Sequence, residues 1–406
     1  MEKKTLDVRY PDGGIDLGLG SRMRVTYDAT REGFDAFVKD LIACGDYGVL
    51  QQNEIGENAY LTLTSEEGML HLYYRNDAQT VRVISDTLEQ SVLPMDESEG
   101  YERVTDTTLC VTSLDYSHRE ILDGNGMGYA IILADGRFIV IDGGYSHDAP
   151  RLYQFMKDNN HRADGKIVIA AWFLTHGHVD HYGALNEFAE QYGDEVTLET
   201  FICNPPRPSM FRHGKQYNPY MLDVLPSVLE KFGEVKRFRP HSGQVIRFCD
   251  AEFEFLYTQE DFFPMYFPLM NDASTVFRMK VGGQSVLFMA DCENSSSNII
   301  CDMYGEDLKC DIMQLNHHCY SGGTVELYEL AAPAWSMWCT SQPAFEMRTT
   351  GEKYQWIGNA IKSNKYMVDT IGFDHCFVAD GPYKLIHFPL RDMSDVTYYG
   401  IPEVEA

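Results

Sequence analysis

The chain has 406 residues, 44% of them hydrophobic and 13% aromatic, which is enough apolar material for two packed domains. Its formal net charge is −28, from 33 Lys and Arg against 61 Asp and Glu, and it has no basic run to neutralise a string of phosphates, which speaks against a long nucleic acid as partner. No apolar run reaches the roughly 20 residues of a membrane crossing, the N-terminus shows no secretory core, and ten cysteines without a Cys-x-x-Cys pair fit reduced thiols, so a cytoplasmic location is expected.

Along the chain, the first periodic segment is Arg31–Gly45. Phe34, Phe37, Val38, Leu41 and Ile42 share one helical face, and Gly45 marks the stop. Strands are predicted at 59–64, 69–74 and 80–85, separated by the turn-like Glu66-Glu67-Gly68 and Asn76-Asp77-Ala78. A helix and a three-stranded meander make a small α+β domain over residues 1–100, whose last residues, Met95–Gly100, read as an acidic linker. This part shows no chemistry and offers a route to oligomers. The second domain is expected over 104–395. It opens with a hairpin, Tyr129–Leu133 and Gly136–Gly144, joined through Ala134-Asp135-Gly136. The apolar strand Lys166–Leu174 follows.

That strand leads into Thr175-His176-Gly177-His178-Val179-Asp180-His181, three imidazoles and one carboxylate within six residues. Imidazole and carboxylate suit zinc and similar divalent ions. Alternate residues at a strand end point the same way, and the next turn can redirect the last two. The spacing therefore directs His176 and His178 to one metal, and Asp180 and His181 to a second.

His-x-His-x-Asp-His after an apolar strand resembles the defining motif of the metallo-β-lactamase fold superfamily. The resemblance implies an α/β fold, an αββα sandwich with its metal site at one edge of two sheets. It also implies that Asp142, in Asp142-Gly143-Gly144, orients the histidine loop from behind. Asp291, closing the strand-like Gln284–Ala290, would bridge the two metals, with Ala290 where the family has glycine. Asp311–Ser321 is similar to the His-His-Gly-Ser element of the branch that holds the hydrolase domain of the DNA-uptake protein ComEC and the phosphorylcholine esterases, with Cys319 in place of the glycine. Within this pair His318 is taken as ligand and His317 as the substrate-side, proton-moving residue, and the reverse order stays open. The third ligand of the first metal is His241 or His213, with His241 preferred on distance from the motif. Asn271, Ser274 and Tyr320 are candidate substrate contacts, and Asn271 and Ser274 fit a plain turn equally well. Arg207 and Arg212 fall in a Pro-rich cover loop. Cys292 and Cys319 are expected to pack, and His375 and His387 to be structural. Many relatives carry a further histidine near the C-terminus, and Trp335–Asn364 contains none.

The implied activity is a metal-dependent hydrolase of a small or medium phosphodiester or ester. A metal-bridging hydroxide would be the nucleophile, with Asp180 and His317 as catalytic residues, Tyr320 or Ser321 as alternative proton donors to the leaving group, and two divalent ions as cofactors. Zinc is the first choice, and manganese or iron suits the same ligands. Two other readings are a nuclease of the DNA-uptake type and a non-catalytic binding protein on the same fold. Acidity argues against the first of these.

Overall fold

The computed structural model describes residues 14–66, 68–87, 107–112, 126–211, 218, 223–350 and 358–400. The first helix runs Arg31–Ala43; the Thr30 hydroxyl accepts the Gly33 N–H at its start, and Gly45 follows at φ +77°, the left-handed turn that ends helices. Phe34 and Leu41 are buried beneath it, with Phe37, Val38 and Ile42 half-buried alongside.

The predicted three-stranded meander is a sheet of six, ordered Ile15–Gly18, Ser21–Thr26, Thr80–Thr87, Gly68–Arg75, Asn58–Thr64, Gly48–Ile55. The predicted strands are its apolar centre. The others lacked a periodic signal: Gly48–Ile55 is an edge on which only Ile55 is fully buried, and Ser21–Thr26 buries only Ser21 and Met23. One face of the sheet packs on the helix. The other sends Leu17, Met23, Ile55, Tyr60, Tyr73 and Ile84 into a core shared with Phe211, Leu256, Met289 and Tyr304 of the larger body. Polar groups cross the same boundary. Arg239 donates to the carbonyls of Leu17 (2.9 Å) and Gly18 (2.6 Å), and Arg75 to that of Asp261 (3.0 Å). Gly243 lies flat on Tyr60; a Cβ there would fall 1.9 Å from the ring.

The larger body is an αββα sandwich. Sheets of nine and seven strands meet in a core that includes Tyr129, Ile141, Phe173, Phe253, Phe277 and Phe288. Helices Ala149–Asp158 and Val179–Tyr192 cover the first sheet, and Asn294–Tyr304, Val325–Ala331 and Gly358–Ile371 the second. The predicted hairpin forms, Gly128–Ile132 pairing antiparallel with Phe138–Asp142. Phe138–Asp142 then runs parallel to Ile167–Phe173, a strand buried at every residue, as parallel strands covered on both faces are. In the second sheet Gln284–Phe288, Ile312–Gln314 and Trp335–Trp338 are parallel in turn. The loops that leave these parallel strands at their C-terminal ends meet at one edge of the sandwich. No helix among the described residues is long and apolar enough to cross a membrane.

Candidate metal centre

The strand Ile167–Phe173 delivers its chain to the edge, and Asp142 catches it there. The Asp142 carboxylate accepts Thr175 N–H (2.8 Å), Thr175 Oγ1–H (2.9 Å) and, at 2.8 Å, lies on His181 Nδ1. With Nδ1 held, His181 presents Nε2 inward. His178 is the N-cap of the helix Val179–Tyr192 and Asp180 falls in its first turn, so the turn that redirects the last two motif residues is a helix start.

Asp291 is the hub. Its Oδ2 lies 3.2 Å from His181 Nε2, 3.7 Å from His318 Nε2 and 3.8 Å from His176 Nε2. His176 Nε2 is 3.1 Å from His178 Nδ1, and His318 Nε2 is 3.2 Å from Asp180 Oδ2. Two ligands on one tetrahedral ion, each about 2.0–2.1 Å from it, stand about 3.4 Å apart, and these separations bracket that value. Two ligand groups result: Asp180, His181, Asp291 and His318, and His176, His178 and Asp291. The fit to cations has a second sign. His181 Nε2, His318 Nε2 and both Asp291 oxygens are buried without a hydrogen-bond partner, which folded proteins rarely tolerate unless an ion or water completes them.

Burial opposes charge on His181 and His318, but the carboxylates, Asp291 foremost, raise both, His181 well above the ordinary imidazole value and His318 up to about 10. Burial opposes charge on Asp180 and Asp291, but the imidazoles, His181 foremost, outweigh it and hold both carboxyls well below the usual range. Burial, joined by neighbouring His181, pushes His176 well below the ordinary imidazole value, so it is in the neutral form that binds metal. Burial likewise lowers His178.

The other expected residues are placed as follows. His318 turns its Nδ1 to the Cys339 carbonyl at 3.0 Å. His317 stands beside the cluster, its Nε2 3.6 Å from Asp291 Oδ2, and its side chain is 22% exposed. Asn271 reaches His317 with its amide at 3.2 Å, and Tyr320 packs edge-on against the same ring. Cys292 and Cys319 are buried, their thiols pushed up by burial. His375 stacks on Trp335 and His387 bonds Thr108 and Thr397. Arg207 is ion-paired with Asp16 of the N-terminal sheet. Arg212 and His213 lie outside the described residues.

Two expectations are corrected. His241 is not brought to the cluster. It is fully buried, with Nε2 2.7 Å from Asp86 Oδ2 and Nδ1 2.9 Å from Glu260 Oε1. Both ring nitrogens face carboxylates, and although burial opposes it, that pair pushes the pKa up to about 9. Its two nitrogens are thus occupied by carboxylates that belong to neither ligand group. Ser274 does not face substrate either: it is fully buried, and its hydroxyl accepts the Asp291 N–H at 3.3 Å.

The motif reading missed what braces the two ligand turns. Gln314 Oε1 accepts the N–H groups of Met289 (2.8 Å) and Ala290 (2.6 Å) ahead of Asp291. His317, His318 and Cys319 are all left-handed, at φ +43°, +50° and +65°, a conformation that costs non-glycine residues roughly 1–2 kcal/mol each. The turn is held by Arg348 on the His318 carbonyl (2.6 Å), Asn364 on the Cys319 carbonyl (2.7 Å) and the His317 N–H on Ala290 O (3.0 Å). Ala290 is left-handed too, at φ +47°. Glu293, two residues after Asp291, contacts His317 and had no signal beyond its position. A separate groove of about 880 Å³ is lined by Arg247, Arg278, Lys280 and Asp311, among others. It holds none of these residues, and its cations are paired with Glu252 and Glu254.

Comparison with known proteins gives the following. Residues 123–316 match the family model of the metallo-beta-lactamase superfamily. Among solved structures, the metallo-beta-lactamase fold protein YhfI from Bacillus subtilis is similar at 13% identity over 67% of this chain and 96% of its own, with a TM-score of 0.40. CmlA, a diiron beta-hydroxylase from Streptomyces venezuelae, is similar at 12% identity over 70% of this chain and 54% of its own, with a TM-score of 0.39. Unliganded yeast PDE1 is similar at 10% identity over 68% of this chain and 97% of its own, with a TM-score of 0.37. No curated protein sequence matches.

Proposed function

We propose that this chain, whose residues 123–316 match the family model of the metallo-beta-lactamase superfamily, is a metal-dependent hydrolase of a small or medium phosphodiester or ester. The observation that carries this reading is the pair of ligand groups joined through Asp291, with four buried ligand atoms left unpartnered. His176, His178 and Asp291 would hold one divalent ion, and Asp180, His181, His318 and Asp291 the other. Zinc suits the nitrogen-rich sets, and manganese or iron serves the same donors. Bound there, such ions supply Lewis acidity and lower the pKa of water toward neutrality.

The chain's own groups do the rest. Asp142 and the Cys339 carbonyl fix the rings of His181 and His318. Asp180, 22% exposed at its side chain, orients the attacking water. His317, equally open, faces the leaving group with Asn271 and Tyr320 beside it. The excess of acidic residues favours a compact anion over a long polyanion, since little outside the centre repays the repulsion. Nine described cysteines are free, which supports a reducing, cytoplasmic setting.

The test is metal content by plasma mass spectrometry on native protein and on His178→Ala, with hydrolysis of bis(p-nitrophenyl) phosphate. Two metals per chain, falling together with turnover in the variant, is the expected result. Full turnover in a metal-stripped protein would refute the proposal.

A further inference from the structure

Three loops meet on one carboxylate oxygen beside the metal centre. Glu293 Oε1 lies 2.8 Å from His317 Nδ1 and 2.8 Å from Ser321 Oγ, and the Asn271 amide donates to it at 3.3 Å. Ser321 Oγ is also 2.8 Å from His317 Nδ1. Counting protons assigns the roles. Ser321 has one hydrogen and gives it to Glu293, so towards His317 it accepts; His317 Nδ1 must therefore carry a proton, shared between the two oxygens. That leaves Nε2 as the working face of the ring, aimed at Asp291 from 3.6 Å.

The clamp is rigid. Glu293 is the N-cap residue of the helix Asn294–Tyr304, with its carbonyl taken by Ser297 N–H (2.9 Å) and Ser296 Oγ–H (3.1 Å). Its side chain is 14% exposed. His317 is fixed from the other side by its left-handed backbone and its N–H on Ala290 O. One short loop thus serves two ends of a reaction, Asp291 on the metal side and Glu293 on the proton side. His317 falls in neither metal-ligand group; besides Asp291, its Nε2 meets the Asn271 amide at 3.2 Å, a contact that a substrate oxygen would replace.

We infer that Glu293, together with Ser321, is a positioning residue that holds His317 Nε2 for proton delivery to the leaving-group oxygen, and that the natural substrates are esters whose leaving groups are ordinary alcohols or phenols. This rests on the hydrolase reading above. As the bond from phosphorus (or acyl carbon) to that oxygen breaks, the electron pair stays on the oxygen. The oxygen takes the proton from His317 Nε2. The attacking water forms the new bond to phosphorus or carbon, and the proton it loses restores His317. Glu293 balances the imidazolium throughout. A nitrophenolate leaves without this help, whereas a phenolate, whose conjugate acid has a pKa of about 10, gains from it.

The experiment compares kcat and KM for bis(p-nitrophenyl) phosphate and diphenyl phosphate in the metal-loaded full chain, in Glu293→Gln, in Glu293→Asp and in Ser321→Ala, with metal content measured on each. General acid catalysis contributes about 10²–10⁴-fold. Glu293→Gln should lose on the order of 100-fold in kcat on diphenyl phosphate and about 3-fold or less on the nitrophenyl ester, with KM and metal content unchanged. Glu293→Asp should recover part of the loss, and Ser321→Ala should show the same selectivity in smaller measure, which covers the case in which Glu293→Gln fails to fold. Equal losses on both substrates, or loss of metal, would overturn the inference and make Glu293 a brace of the metal loop. Wild-type turnover with a Glu293→Gln variant indistinguishable from it would overturn this inference alone. A wild-type chain that holds metal yet cleaves neither ester would instead remove the hydrolase reading beneath it.

Discussion

Replacing His241 with Gln separates the role the motif suggests from the role the structure gives. In the folded chain His241 is an imidazolium enclosed by Asp86 at 2.7 Å and Glu260 at 2.9 Å, stacked on His71. Burial works against its charge, but the two carboxylates push its pKa from 6.5 up to about 9. Burial works against theirs as well, and His241 still holds Asp86 below its ordinary value and brings Glu260 down to about 2. At about 1.4 kcal/mol per pKa unit, the shift of His241 corresponds to about 3 kcal/mol of folding stability. Its folded pKa lies above the unfolded one, so the contribution is complete below about pH 6.5 and fades as pH rises through about 9. Gln keeps some polarity but strands two buried carboxylates, a change that typically costs about 3–5 kcal/mol. For a chain of this size that is a fall in Tm of roughly 5 °C. Thermal unfolding of wild type and variant at pH 6, 7.5 and 9.5, with metal content on the same samples, checks it. The variant should melt well below wild type at pH 6, the curves should converge by pH 9.5, and metal content should match wild type. A variant that lost one metal with an unchanged melting curve would show that His241 is a ligand after all.

Asp142→Ala removes the acceptor that fixes His181 Nδ1 and two Thr175 donors; zinc titration by calorimetry should show one of two sites weakened 10–100-fold, and an unchanged isotherm would count against the assignment. Arg348→Ala frees the His318 carbonyl and Thr340 Oγ1 from bonds of 2.6 and 2.8 Å. It should cost roughly 2–3 kcal/mol in thermal unfolding and let the left-handed turn relax, so that retention of metal in the site containing His318 should fall in dialysis. Metal retention equal to wild type would mean that the turn holds itself.

How much of this could be read from sequence varies with how local the information is. The run His176–His181 was legible because ligand types and spacing are concentrated at the end of one buried strand. The strand itself, Ile167–Phe173, was legible as an unbroken apolar run. His241 was not: its charge partner Asp86 is 155 positions away, and nothing in the neighbourhood of either residue announces the other. The replacements of glycine by Ala290 and Cys319 cast doubt on the site at the sequence level. In the structure both positions keep the left-handed backbone that glycine would adopt, so the substitutions cost strain and leave the geometry in place. The early strands at 15–18 and 48–55 escaped because their contacts come from an edge and from another part of the chain, not from alternation along the strand.

The change of composition near residues 95–100 looks like a place to cut, yet the charges and the core on either side of it belong together: Asp86 with His241, Arg75 and Arg82 with Asp261, Tyr60 under Gly243. A gene divided there would encode two products, each with half of a buried ion pair turned to solvent. A cloning scheme or a domain shuffle that treats the first hundred residues as an accessory would remove a wall of the shared core.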